Sequence, residues 1–186
     1  YQEALITRDL FMLQSYYLDH GYVTVKLGKP KVYLNRDKRF IYITYLVKEG
    51  DQYRFGKIQF TGDTKGFLPS LKRLSTLKSG ELFNRTKLYR RNILRFTTLY
   101  QDYGYAYINV IPKYKFNRKK KKLDLTLFVQ KGPRVRVERI EITGNSTTQD
   151  KVIRREIRLN EGDYYSGSRV QISQRRVFAL GFFAKT

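Results

Sequence analysis

The 186 residues contain no cysteine and no tryptophan, one histidine, one methionine and four prolines. Without cysteine there are no disulfides and no thiol chemistry, and the compartment stays open. A lone histidine, His20, leaves little for His-based metal sites, which need several ligands, and little for general-base catalysis. His20 falls at the end of a predicted helix, where a cation is favourable for electrostatic reasons. No apolar run reaches the 18 or so residues that span a bilayer. Acidic residues are also scarce, with 16 Asp and Glu against 38 Lys and Arg, a formal charge of +22. Such an excess suits an anionic partner, either nucleic acid or an anionic membrane, or a solvated surface that favours lysine. The basic residues are scattered through every segment rather than gathered in one arm, which favours the solvated surface.

What the chain does have is hydrophobic content of 41% and 28 phenylalanines and tyrosines, enough to fold. It also has an internal repeat. Val135-x-Val137-x-x-Ile140-x-Ile142-Thr143-Gly144-Asn145 lines up with Tyr53-x-Phe55-x-x-Ile58-x-Phe60-Thr61-Gly62-Asp63. The same offset of about 82 residues carries Leu125–Val129 onto Ile43–Val47 and Gly132 onto Gly50. Asp102-Tyr103-Gly104-Tyr105 echoes Asp19-His20-Gly21-Tyr22 one residue further on, as a loop insertion would produce. Self-similarity at a long fixed period means a tandem array of one small fold. The expected divisions are 1–50, 51–132 and 133–186, with only the middle unit complete and both ends cut within a unit.

Along the chain, residues 5–20 read as a helix with Leu10, Leu13 and Tyr17 on one face, ended by Gly21. Two alternating strands follow, Val23–Leu27 and Ile41–Val47, joined at the polar turn Asn35–Lys38. The middle unit begins with a strand over 56–61 and a helix over 69–77. A second helix is capped by Asn84, with Leu88, Phe96, Leu99 and Tyr103 on its buried face. A hairpin over 105–116 and 123–130 closes the unit. The third unit supplies a strand over 139–143, a helix opened by Thr147-x-x-Asp150, and a second helix over 168–180. The order in each unit is β-α-α-β-β. This is an α+β layer with two helices on a three-stranded sheet. The change of alternation phase between Tyr53, Phe55 and Ile58, Phe60 suggests that Tyr53 and Phe55 face the preceding unit.

A three-stranded sheet leaves strand edges unpaired, and an unpaired edge is a template for an incoming strand. The expected edge comprises Val23, Thr24, Val25, Lys26 and Leu27, with Tyr107, Ile108, Asn109 and Val110. Lys26, Lys29, Pro30, Lys31, Lys113 and Lys115 are the residues that would protect it. The run Asn117–Lys122 marks a basic hairpin tip, a solvated turn or a contact for anionic lipid head groups. No catalytic residues, cofactor or metal site are expected. Ile142-Thr143-Gly144-Asn145 is a strand-to-helix turn rather than a phosphate loop. The tyrosines fall at core periodicity, so stacking on nucleic acid bases is disfavoured.

The motif V-x-x-I-x-I-T-G-N, then K-V-I-R-R-E-I, E-G-D and A-L-G-F-F in that order, resembles the POTRA domains of the Omp85 family. Gly144-Asn145, Lys151–Ile157, Glu161-Gly162-Asp163 and Leu180–Phe183 resemble the last POTRA domain, Tyr103–Tyr107 the fourth, and Leu13–Tyr22 with Glu49–Tyr53 the end of the third. The resemblance implies tandem POTRA domains with mixed three-stranded sheets, periplasmic and non-enzymatic, ahead of a C-terminal membrane barrel. It implies capture of unfolded outer-membrane β-barrel precursors by β-augmentation. It places Arg154 and Glu161 where the last domain docks accessory lipoproteins. Within the family, a segment for polypeptide secretion or organelle import is the alternative. Outside it, the alternative is a basic nucleic-acid-binding module.

Overall fold

A computed structural model describes residues 3–145 and 148–181. Contacts divide the chain into two compact units, and the division runs through the middle repeat. The first unit comprises Tyr1–Gln59, Ser75–Asn92 and Pro112–Thr126; the second comprises Phe60–Leu74, Ile93–Ile111 and Leu127–Thr186. Strands β5 (Arg54–Gly62), β6 (Asn109–Asn117) and β7 (Lys122–Gln130) contribute residues to both units. They form one three-stranded sheet in the order β5-β7-β6.

The first unit opens with helix α1 (Glu3–Asp19), which ends before Gly21 at φ +86°. Two short antiparallel pairs follow. Strand β1 (Lys26–Leu27) pairs with β4 (Val47–Lys48), and β2 (Lys31–Leu34) with β3 (Ile41–Thr44). The hairpin is split at Gly28-Lys29-Pro30, where proline has no N–H to give to a ladder. Ile41 and Ile43 are exposed, whereas their repeat counterparts Leu123 and Leu125 are fully buried. Around the start of β5, Tyr53 stacks edge-on against Phe116, and Phe55 packs on Phe83. Both Tyr53 and Phe55 are buried, and these ring contacts are with their own repeat, where the preceding one was expected. The N–H of Arg54 donates to the Lys121 carbonyl.

The second unit carries the other end of the sheet, where the N–H of Asp63 donates to the Val129 carbonyl. Partner numbers rise together from Arg54–Lys121 to Asp63–Val129, so β5 and β7 run parallel, while β6 and β7 form a hairpin. The sheet is mixed, as expected. Helix α2 (Leu68–Leu74) and helix α5 (Gly167–Ala179) both pack against α3 (Leu94–Gln101). Phe67 stacks on Tyr100 and Tyr105 meets it edge-on, with Tyr103 edge-on to Phe67; the Tyr100 hydroxyl donates to the Asp63 carbonyl at 2.8 Å. Burial pushes the Tyr100 phenol up to about 12, with the neighbouring Asp63 adding to the shift. The folded chain therefore holds a proton that the unfolded chain loses near pH 10. Stability should fall as pH rises from about 10 to about 12. Tyr100→Phe should flatten that decline in urea midpoints measured across the interval.

The helix before α3 explains a discrepancy. Lys87–Ile93 is a wide π-type stretch. A π turn slips the buried face, so burial falls on Leu88, Asn92, Phe96 and Tyr100, four residues apart. Tyr103, expected inside, is 55% exposed. Asn92 holds the wide stretch: its Nδ2 donates to the Lys87 carbonyl and to Thr76 Oγ1, and its Oδ1 accepts the Thr76 N–H at 2.8 Å. Diverting Thr76 in this way also ends α2 at Leu74 rather than Leu77.

In the third repeat, α4 (Asp150–Arg154) and α5 form where expected. The predicted cap Thr147 and the pair Phe182-Phe183 lie outside the described residues. The predicted strand over 139–143 has no ladder; a single bridge joins Arg136 to Tyr164. A strand exists only against a neighbour, and among the described residues no strand lies beside this segment. Ile153, Ile157, Val170, Val177 and Phe178 line an open apolar groove.

Candidate functional site

Sheet order leaves two margins, and they differ. Along the outer side of β5, Phe55 exchanges both backbone bonds with the loop after α2: its N–H donates to Glu81 and its carbonyl accepts from Gly80. The Phe83 N–H donates to Tyr53. That margin is covered where it begins. Strand β6 has β7 on one side and, among the described residues, no strand on the other. Its sequence alternates. Tyr114 packs towards Phe83 and Tyr89, and Phe116 towards Tyr53, which puts Lys113 and Lys115 on the opposite face of the sheet. Burial raises the Tyr114 phenol above its ordinary value, and its hydroxyl contact with Tyr89 adds to the shift.

The expected edge residues are only partly in strands. Lys26 and Leu27 form β1, and Asn109 and Val110 open β6. Val23, Thr24 and Val25, like Tyr107 and Ile108, lie in the turns before them. There the amides bond locally: Val23 to Gly21, Val25 to Tyr22, and Ile108 to Tyr105. Helix exit by a left-handed glycine needs such a turn before extended backbone can begin. The ladder-forming edge therefore starts later, and its length lies in Asn109–Asn117.

The basic tip between β6 and β7 is a built turn. Asn117 Oδ1 accepts the Lys120 N–H at 3.0 Å, and Lys121 sits at φ +48° with its Nζ 2.8 Å from Asp51. The tip between β2 and β3 repeats the device, with the Asp37 N–H donating to Asn35 Oδ1 and Lys38 at φ +57°. Residues 53–132 contain 19 Lys and Arg against four Asp and Glu. All four acids are held internally. Asp63 accepts the Lys131 N–H, Glu81 pairs with Lys87, Asp124 accepts the Lys57 N–H, and Asp102 caps a helix. With 19 basic side chains against four acidic ones, the repeat keeps a large positive excess.

Arg154 and Glu161 meet at one residue. Glu161 Oε1 accepts the Ile140 N–H at 2.8 Å, and Arg154 Nη2 donates to the Ile140 carbonyl at 3.3 Å. Arg154 also pairs with Asp150, whose carboxylate favours the charged guanidinium. The two side chains thus hold the backbone of the unpaired 138–145 segment. Removing either, as Glu161→Ala or Arg154→Ala, should speed amide exchange at Ile140 and its neighbours severalfold. Exchange at α5 should be unchanged.

Sequence reasoning missed a second device, although its signal was the Asp-x-Gly echo. Asp19 Oδ1 accepts the Thr86 N–H at 2.7 Å and Oδ2 accepts its hydroxyl. Asp102 Oδ1 accepts the Ser168 N–H at 2.9 Å and the hydroxyls of Ser166 and Ser168. In both cases the acid at the end of one repeat's second helix caps the second helix of the next. Beside it, Gly21 accepts the Tyr53 N–H and Gly104 the Val135 N–H, each at 2.8 Å. Gln52 donates to the His20 carbonyl and Arg134 to the Tyr103 carbonyl, each at 2.9 Å. Asp19→Ala and Asp102→Ala should each cost about 1–2 kcal/mol, measured by urea unfolding.

Among the described residues, no group of three or more His, Cys, Asp and Glu could hold a metal, and no helix is long and apolar enough to cross a membrane.

With this geometry in place, the comparisons are informative. The sequence model of the POTRA family, described as surface antigen variable number repeat, matches residues 1–50, 53–132 and 135–186. The chain is 29% identical over 187 residues to the outer membrane protein assembly factor BamA of Nitratidesulfovibrio vulgaris, covering 99% of this chain and 23% of that protein. It is 32% identical over 185 residues to BamA of Neorickettsia risticii, covering 98% and 24%. It thus spans about a quarter of the length of these relatives. Among solved structures, POTRA3-5 of Haemophilus influenzae BamA superposes with a TM-score of 0.89 at 29% identity, over 97% of this chain and 71% of that one. BamA of Haemophilus ducreyi lacking POTRA domains 1-3 gives 0.62 at 30% identity, over 72% and 25%.

Proposed function

Because this chain belongs to the POTRA family, we propose that it is the periplasmic part of an outer-membrane protein assembly factor and that it receives extended segments of unfolded β-barrel precursors. The observation that carries this reading is the asymmetry of the middle sheet. Strand β6 has a ladder neighbour on one side, while the start of β5 is closed by the loop at 80–83. An added strand bonds through backbone groups, which every client possesses, so affinity needs little sequence agreement. This suits a factor that handles many barrel precursors. The named role of the similar proteins, outer membrane protein assembly, agrees with it.

Docking of accessory lipoproteins on the third repeat is the second part of the reading. Arg154 and Glu161 serve there by fixing the 138–145 segment, beside a hollow lined by Glu138, Arg139, Glu141 and Glu161. Contact of the 117–122 tip with anionic head groups is the third part, supported by the positive excess of the middle repeat.

The backbone mechanism is tested with a fluorescent peptide copied from one strand of a membrane barrel. A scrambled peptide that keeps the polar–apolar alternation should bind within a few-fold of the original. The same peptide N-methylated at alternate amides should lose at least tenfold, because its ladder donors are gone. Equal binding of the N-methylated peptide would exclude β-augmentation.

A further inference from the structure

The wide stretch at Lys87–Ile93 and strand β6 meet through a pair of tyrosines, and the polar groups gathered there lack an acceptor. Pro112 sits inside β6 and has no N–H. A proline within a paired strand has its nitrogen turned away from the neighbour. Alternation then aims the amides of Tyr114 and Phe116 outward as well, so these two would be the donors that an arriving strand meets. The residue opposite Tyr114 in that strand would share its backbone bonds, with its side chain on the same face of the sheet as the Tyr114 ring. That face is the helix side.

The Tyr114 hydroxyl lies 3.5 Å from the Tyr89 hydroxyl, and both rings are partly open to solvent, at 37% and 41%. One phenol can donate to the other, which leaves the second proton for an outside acceptor. Arg85 stands beside them. Its guanidinium is 5.7 Å from the centre of the Tyr89 ring, and close enough to the Tyr114 phenol to oppose the rise that burial causes. Arg85 is half-buried, yet among the described residues no carboxylate pairs with it. Glu81 and Asp19, the acids bound to the same turn of helix, are taken by Lys87 and Thr86. A half-buried cation without a counter-ion, next to a phenol without an acceptor, supplies the charge-assisted donors of an anion site. Wide turns of this kind are frequent where a helix serves a site. In the third repeat the equivalent positions hold Gly167 and Gln171, and α5 is an ordinary α-helix.

We infer that Arg85, Tyr89 and Tyr114 form a carboxylate subsite at the β6 edge, and that it takes the side chain of a Glu or Asp standing opposite Tyr114 in an incoming strand. The inference rests on β6 being the receiving edge and adds what fixes a client's register there. Backbone bonds alone let a strand slide by two residues, whereas one bound carboxylate pins it.

The test uses the 186-residue chain and two fluorescent peptides, each one strand long and amidated at the C-terminus. They alternate valine and threonine and differ only in a central Glu or Gln. Binding is read by fluorescence anisotropy at about 0.15 M salt, where long-range attraction is largely screened. Amide shifts locate each contact. The Glu peptide should bind roughly five- to tenfold more tightly than the Gln peptide, because its acceptor is charged. Its largest backbone shifts should be at Tyr114 and Phe116, with a shift of the Arg85 side-chain N–H. Arg85→Ala should bring the two peptides to within about twofold of each other, since one partner of the pair is gone. Tyr89→Phe removes a single oxygen from a part-exposed ring and should cut the preference by about two- to threefold. Arg90→Ala, which removes the same charge from an exposed position of the same helix, should leave the preference unchanged. The inference is overturned if the two peptides bind β6 equally, if the preference survives Arg85→Ala, or if Arg90→Ala lowers it as much. Each of these results leaves the receiving edge intact. Shifts that avoid β6 with both peptides would remove the edge reading itself, and the subsite with it.

Discussion

Asn92→Ala should lower stability by about 2–4 kcal/mol, far more than the loss of one polar side chain from a surface helix. Asn92 is fully buried and saturated: it binds the N–H and hydroxyl of Thr76 and the carbonyl of Lys87. Alanine removes the acceptor of the Thr76 N–H and the donor to the Lys87 carbonyl in a part-buried site and leaves a void the size of the amide, and an unsatisfied polar group there costs about 1–3 kcal/mol. Asn92→Asp should also destabilise, because a carboxylate cannot donate to the Lys87 carbonyl and a buried charge is costly. Its defect should shrink as the pH is lowered and the carboxyl takes up a proton. Ser173 occupies the matching place in the third repeat, accepting the Arg158 N–H and donating to the Arg169 carbonyl. Ser173→Ala leaves fewer orphans, and about 1 kcal/mol is expected. Urea midpoints decide the matter; a loss under about 0.5 kcal/mol for Asn92→Ala would mean that the π-type stretch is not held by this side chain.

The second large effect separates two neighbouring positions on β6. Lys115→Pro removes an amide that alternation points at β7 and should cost about 3 kcal/mol. Phe116→Pro removes an amide pointing outward, near the strand end, and should retain the cooperative thermal transition. Its effect should appear in binding instead, as a five- to tenfold weaker affinity for a barrel-strand peptide. Equal stability losses at the two positions would mean that the alternation read from Pro112 is wrong.

Much of this architecture was legible in the sequence because repetition exposes it. The pairs Phe60-Thr61-Gly62 and Ile142-Thr143-Gly144 gave the period, and the alternation of Leu123, Leu125, Leu127 and Val129 gave the buried face of β7. Asn84 was read as a cap, and its Oδ1 does accept the Lys87 N–H at 2.6 Å. Three features were not legible, each for a physical reason. A helical wheel assumes 3.6 residues per turn, so the wide stretch at Lys87–Ile93 moved the buried face from Tyr103 to Tyr100. Strand onset was set too early at Val23 and Tyr107, since hydropathy cannot register the turn that follows a left-handed glycine. The strand over 139–143 was read from alternation, but a ladder is a property of two segments, and among the described residues no strand lies beside this one. At the candidate edge, Asn109, Val110, Lys26 and Leu27 fell in strands, while the role of Tyr114 and Phe116 emerged only once Tyr53 and Phe83 were seen beside them. Arg154 and Glu161 were singled out by resemblance, and their common hold on Ile140 needed coordinates.

Amide hydrogen exchange on the whole chain, with and without a barrel-strand peptide, tests the receiving edge most directly. Added protection should appear at Tyr114 and Phe116, with β5 unchanged. Protection confined to β5, or none in the middle sheet while the peptide is bound, would contradict it.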